Sequence, residues 1–160
     1  MYKKLFLFLV FLSSLSFSQN KNFSIEDKLI IWKNVYEDST SILELKKNFR
    51  LEFVSDSTGF IKKTNFSDRK IDQLTAEFKI ESKKGRYRVS VYNIKFYEEQ
   101  RVLNTDGISI KTIGETTIEE SWIKNDGTIR KSIFGYNVTE RLHPHLIDLF
   151  KIKLKKDEEW

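Results

Sequence analysis

Residues 74–81 alternate without a break: Leu74, Ala76, Phe78 and Ile80 share one parity, and Thr75, Glu77, Lys79 and Glu81 the other. Successive side chains of a strand point to opposite faces, so this period predicts a strand with one apolar and one polar side. RYRVSVY (86–92) repeats the pattern, and the two segments form a hairpin across Lys83–Arg86. An even-length loop sets Ile80 opposite Val89, Phe78 opposite Val91 and Glu81 opposite Arg88; each such pair adds about 0.2–1 kcal/mol. An odd loop would set Ile80 against Arg88 and turn one apolar set outward. Further along, Ile94 and Phe96 carry the parity opposite to Val89 and Val91, which predicts a β-bulge near Tyr92–Asn93.

The remaining pattern is coarser. The apolar density of LIIWKNVYE (29–37) predicts a strand buried on both sides. Ser41 with Glu44 reads as a capping box, and Ile42, Leu45 and Phe49 share a helical face, so a helix is expected over about 41–50. Ser57-Thr58-Gly59 turns the chain into a weaker strand at 60–66, and 67–73 is a polar loop. GISIKTI and TTIEESWI follow the turn Asn104–Gly107 as two further strands, and Asn125-Asp126-Gly127 predicts a hairpin between SWIK and TIRKSIF. Pro144 suits the first turn of a closing helix with the stripe Leu146, Leu149, Phe150 and Leu154, after a looser helical turn at 138–142. The fold class expected is α+β: one domain over 28–155, an antiparallel sheet with helices on one face, in the order strand–helix–strands–helix. Residues 19–27 are expected to be loosely ordered and 156–160 to form an exposed tail.

The opening MYKKLFLFLVFLSSLSFSQN changes where this domain is expected to work. Lys3 and Lys4 precede the apolar run Leu5–Leu12, and Ser16 and Ser18 place small residues before a cut ahead of Gln19, the layout of a cleaved secretory signal over 1–18. The run is well short of the roughly 20 apolar residues that span a bilayer. A periplasmic or secreted mature chain without a transmembrane segment is therefore expected. The sequence has no cysteine, so neither disulfides nor thiol chemistry can contribute. Net charge is +5 for the whole chain and falls to +3 without Lys3 and Lys4, with 32% charged residues of both signs. That is a solvated surface with a mild cationic bias.

In ESKKGRYRVSVYNIKF (81–96) cations interleave with aromatics, yet only Lys84, Gly85 and Val89 fit the RNA-recognition strand signature, and its stacking aromatics are missing. The cations are the outer face of the hairpin, and no nucleic-acid partner is expected. His143 and His145 are the only histidines; two residues apart, they do not make an i, i+4 metal pair. No metal or cofactor is expected. Glu98-Glu99 and Glu119-Glu120 are adjacent carboxylates that face opposite ways on a strand, unlike a converging acid–base dyad. No nucleophile elbow or phosphate-binding glycine loop occurs. Trp32, Tyr36 and Trp122 read as core, and the Asn-x-Ser/Thr triplets at Asn22, Asn65 and Asn137 as chance.

The hairpin KIESKKGRYRVSVYNIKF, preceded by LIIWKNVYEDSTSILELKKNF and followed by an apolar C-terminal helix, resembles a bacterial exported family of unknown function assigned a TATA-binding-protein-like fold. The specific match is the Lys-x-Gly-Arg-Tyr-Arg strand entry at Lys83–Arg88. The resemblance implies a sheet gripped on one face by helices, and no activity or functional residues. The expectation is thus a non-catalytic exported domain that binds a small ligand or an envelope protein. Its contact surface would be the open sheet face bearing Lys79, Arg86 and Arg88, or a groove between the sheet and the C-terminal helix. The alternative is a small envelope hydrolase whose site assembles His143 or His145 with Glu119 or Glu120.

Overall fold

The expected hairpin forms in the expected register. In a computed structural model that describes residues 22–37, 42–66, 71–103, 109–130 and 137–152, with backbone only at 100–103 and 109–111, Ile80 stands opposite Val89, Phe78 opposite Val91 and Glu81 opposite Arg88. Lys84 (φ 43°) and Gly85 (φ 75°) make the turn in the left-handed region, which glycine enters without the steric penalty of a Cβ. The bulge is present as well: Ala76 faces the two residues Asn93 and Ile94, and Asn93 has φ 51°. The extra residue restores parity, so Ile94 and Phe96 return to the core with Val89 and Val91.

Around this hairpin the described residues form a seven-stranded antiparallel sheet. Its strands are β1 (Phe23–Glu26), β2 (Leu29–Tyr36), β3 (Leu51–Phe53), β4 (Thr58–Asn65), β5 (Gln73–Lys83), β6 (Arg86–Leu103) and β7 (Ser109–Thr117). The spatial order is β1-β2-β6-β5-β4-β3, with β7 also on β6. The long β6 serves two neighbours in turn: Tyr87–Val91 pairs with β2, and Lys95–Leu103 pairs with β7. A helix α1 (Ile118–Trp122) follows β7, and α2 (Val138–Phe150) closes the described chain. The fold is α+β.

The core lies between the inner sheet face and α2. Trp32, Phe78, Ile80, Val89 and Val91 on the sheet are buried, as are Leu142, Leu146, Leu149 and Phe150 on the helix. Phe150 stacks on Trp32 (centroids 6.4 Å) and meets Phe78 edge-on (5.2 Å). The last carbonyls of a helix lack intrahelical donors, and here side chains from the rest of the fold reach that end. Tyr87 Oη donates to the carbonyl of Phe150 (2.6 Å) and Asn48 Nδ2 to that of Leu149 (2.8 Å), while Tyr36 Oη is a second donor (3.3 Å) to the Ile147 carbonyl, which also accepts from the Lys151 amide (3.0 Å). These bonds fix α2 along its axis as well as against the sheet.

Several expectations are corrected. β2 is buried on one side only: Ile30 and Trp32 are fully covered, while Val35 is 54% exposed. Residues 23–26, expected to be loose, form edge strand β1, pairing Phe23 with Trp32 and Ile25 with Ile30. The helix expected over 41–50 is a 3-10 turn, Ile42–Lys47, that buries Leu45 but leaves Phe49 82% exposed. Asn48 ends it, its Oδ1 accepting from the Arg50 amide while its Nδ2 leaves for α2. TTIEESWI is strand only to Thr117; a capping box between Thr117 and Glu120 then opens α1. Of the second hairpin, the bridge Ile123–Ile129 is present. Pro144 lies inside α2 instead of opening it, because Asn137 Oδ1 caps the helix seven residues earlier by accepting from the Thr139 and Glu140 amides. The signal segment, Ser41, the turn at 104–107 and the tail 156–160 lie outside the described residues.

Candidate functional site

The β5–β6 hairpin extends past the last turn of α2, and an open hollow lies on each of its faces. The outer one, about 490 Å³, is lined by Val35 of β2, Glu81, Ser82 and Lys83 of β5, and Arg86, Tyr87 and Arg88 of β6. Register explains most of the grouping: Val35, Arg88 and Glu81 form one cross-strand row and Arg86 and Lys83 the next, while Ser82 and Tyr87, a pair of the other parity, complete the wall at the hairpin end. The inner hollow, about 480 Å³, lies between the 3-10 turn (Ile42, Leu43, Lys46) and Ile80 and Ser82 of β5. Its wall is the 3-10 turn.

The structure places Lys79 and Arg88 on the outer sheet face and Arg86 at the hairpin end, and each cation has a carboxylate. Arg88 donates through Nε (3.1 Å) and Nη2 (2.7 Å) to one oxygen of Glu81. Lys79 stands 3.5 Å from the other oxygen of Glu81, and Arg86 3.3 Å from Glu37. The hydrogen bond from Arg88 holds the Glu81 carboxyl below the usual carboxylate range; partial desolvation works against it, and the charges of Arg88 and Lys79 add to the lowering. Exposed pairs of this kind contribute little to stability. They orient the guanidiniums without committing them.

The residues of the hydrolase alternative each have another occupation. Glu119 Oε1 accepts from the Ile30 amide (2.9 Å), just past Trp32–Val91, where the β2–β6 ladder stops. Glu120 completes the cap of α1 by accepting from the Thr117 amide (3.0 Å). His143 Nδ1 accepts from the indole N–H of Trp32 (3.0 Å). His145 packs edge-on against Phe66 (5.3 Å), with its Nε2 buried and unpartnered among the described residues. The bonds of Glu119, Glu120 and His143 are structural. The described residues hold no cluster of three His, Asp or Glu side chains able to grip a metal. Trp32 and Trp122 are core, as expected, while Tyr36 is partly buried and stacks on Tyr87 at 4.7 Å. Sequence reasoning found the cations but missed Val35 and Glu37, whose proximity depends on the β2–β6 register and is invisible in local pattern.

His145 carries a pH dependence. Desolvation, followed by the charge of Arg50, lowers its pKa from the ordinary 6.5, and Asp148 opposes the shift. The unfolded chain therefore binds a proton more readily than the folded one, and stability falls as pH drops below about 6.5 toward the depressed folded value. Urea unfolding at pH 7.5 and pH 5 should show wild type losing more stability on acidification than His145→Gln. Equal losses would mean that His145 does not titrate between those pH values in the unfolded chain alone.

No family model and no curated protein matches this chain. Among solved structures, a DUF4468-family protein from Bacteroides ovatus is similar at 13% identity and a TM-score of 0.42, with 82% of this chain and 85% of that one covered. A likeness of that size assigns neither fold nor function, and the chain's own geometry carries the reading that follows.

Proposed function

We propose that the mature chain is an exported, non-catalytic binding module of TATA-binding-protein-like or helix-grip type, which holds an anionic group of a small ligand or an envelope protein at the end of the β5–β6 hairpin. The observation that carries this reading is the outer hollow, where Arg86, Arg88 and Lys83 surround a volume of about 490 Å³. That volume lies in the range of small-molecule sites, roughly 300–1,000 Å³. Arg86 and Arg88 are oriented by Glu37 and Glu81 through exposed contacts. A ligand carboxylate or phosphate can replace such a partner at little cost and gain bidentate geometry from a guanidinium. Val35, 54% exposed beside Arg88, offers apolar contact to the rest of the ligand.

Native mass spectrometry of residues 19–160 purified from a bacterial periplasm, with pull-down from an envelope extract, tests this. A bound species is expected that dissociates several-fold more readily on moving from low to high salt, as exposed charge contacts are screened within a Debye length of roughly 8–10 Å. The Arg86→Ala/Arg88→Ala chain should lose it. A bound species indifferent both to salt and to that double substitution would place the site elsewhere.

A further inference from the structure

We infer that the outer hollow takes a phosphate monoester of a small soluble molecule in preference to a carboxylate, and that Glu81 is a built-in competitor which the phosphate displaces from Arg88. This rests on the reading of that hollow as an anion site. The residues lining it supply three cations, Lys83, Arg86 and Arg88, against one carboxylate, Glu81. The surplus of two positive charges matches a phosphate monoester, which carries about −1.5 to −2 near pH 7. A carboxylate would neutralise only half of that surplus. Among the described residues Lys83 has no ion-pair partner. The partner of Arg86, Glu37, does not line the hollow and is 75% exposed, so it turns into water readily when a stronger anion arrives.

The geometry of Glu81 sets the preference. Arg88 places Nε and Nη2 on the same oxygen of Glu81, at 3.1 and 2.7 Å, and Lys79 stands 3.5 Å from the other oxygen. This is not the two-oxygen fork that makes guanidinium–carboxylate pairs strong. It persists because the β5–β6 register holds the two residues opposite each other. A free carboxylate would bring to Arg88 the same charge and the same planar group, and would lose translational freedom on binding as well. A phosphate brings more charge and three acceptor oxygens. Arg86 and Arg88 share one parity of β6, with Cα atoms about 7 Å apart, so one such group can engage both guanidiniums. Of the residues lining the hollow, Val35 is the one large apolar side chain that is exposed. That is contact for a small organic group and far less than the apolar face that enters a bilayer, which assigns the phosphate to a soluble molecule.

Isothermal titration calorimetry with phenyl phosphate and with benzoate, which share a ring and differ in the anion, tests the inference on the purified protein. Phenyl phosphate should bind at least about tenfold tighter, the factor that one charge-assisted hydrogen bond supplies. Glu81→Gln should tighten both probes several-fold, because Arg88 is released. In an Arg88→Ala background the same substitution should lose most of that gain, which separates competition for Arg88 from a general change of charge. Glu52→Gln, which removes a carboxylate from the border strand β3, should leave both affinities unchanged. Phosphatidic acid in phosphatidylcholine vesicles presents the same phosphate on a lipid, and should sediment no more protein than phosphatidylcholine alone. Benzoate binding as tightly as phenyl phosphate, or Glu81→Gln leaving both affinities unchanged, would overturn the inference while an anion site stands. Capture by the phosphatidic acid vesicles without binding of phenyl phosphate would overturn the soluble assignment. Binding of neither small anion would overturn the anion-site reading itself.

Discussion

Replacing Phe150 by alanine is expected to destabilise the protein by about 3–5 kcal/mol, the usual cost of deleting a buried phenyl group. The ring is fully buried between Trp32 and Phe78. Its removal forfeits apolar transfer and leaves a cavity that neighbours from two different strands can fill only in part. The same residue's carbonyl accepts the Tyr87 hydroxyl at 2.6 Å, so loosening the last turn of α2 also endangers a buried polar pair. Domains of this size are stable by roughly 5–15 kcal/mol in all. The substitution therefore removes a large share of the total, and urea unfolding would show a large fall in midpoint. Phe49→Ala is the matched control. It deletes the same group from a residue 82% exposed, and a change within about 0.5 kcal/mol is expected. Comparable losses at both positions would contradict the docking of α2 on the inner face.

This contrast shows where the sequence was legible. The β5–β6 hairpin could be read down to residue pairs because alternation, loop parity and an opposite-charge pair all favoured one register, and the bulge followed from a change of parity within one strand. Such signals are local. β1 and β3 escaped because four- and three-residue strands have too few positions to show a period, and both exist by pairing with a longer neighbour. Phe49 was misplaced for a related reason: Ile42, Leu45 and Phe49 have helical spacing, but Asn48 spends its side chain on the Arg50 amide and on α2, and the turn stops. The strand expected over TTIEESWI stops at Thr117 because the capping box Thr117–Glu120 opens α1 there, among β-branched residues whose local pattern reads as strand. At the candidate site, the polar parity of β5 and β6 already grouped Lys79, Arg86 and Arg88. Val35 and Glu37 join them only through the β2–β6 pairing, between segments some fifty residues apart in the chain, which local pattern does not encode.

Gly59→Ala is expected to be the most damaging single-methyl change in the described sheet, costing about 3 kcal/mol, the upper end for forcing volume into a packed core. Gly59 lies opposite Phe53 in the β3–β4 pair and opposite Phe78 in the β4–β5 pair. A Cβ built there would stand 2.1 Å from the Glu52 carbonyl oxygen and 2.7 Å from Phe78 Cζ. The second conflict can be relieved by turning a side chain; the first is with backbone, and relieving it means moving β3. Phe78→Leu added to Gly59→Ala should therefore fail to restore stability, because it addresses only the ring. Gly85→Ala separates space from backbone conformation: nothing lies within 4 Å of its would-be Cβ, and the strain comes from φ +75° alone, a cost of about 1–2 kcal/mol. Hydrogen exchange gives the local readout. In Gly59→Ala the Val54 amide, which donates to the Thr58 carbonyl at 3.0 Å, should lose protection beyond what the global loss explains, while amides at the centre of β5 and β6 follow the global loss only. Unchanged relative protection at Val54 would mean that β3 does not yield, and that the strain is taken up by Phe78 after all.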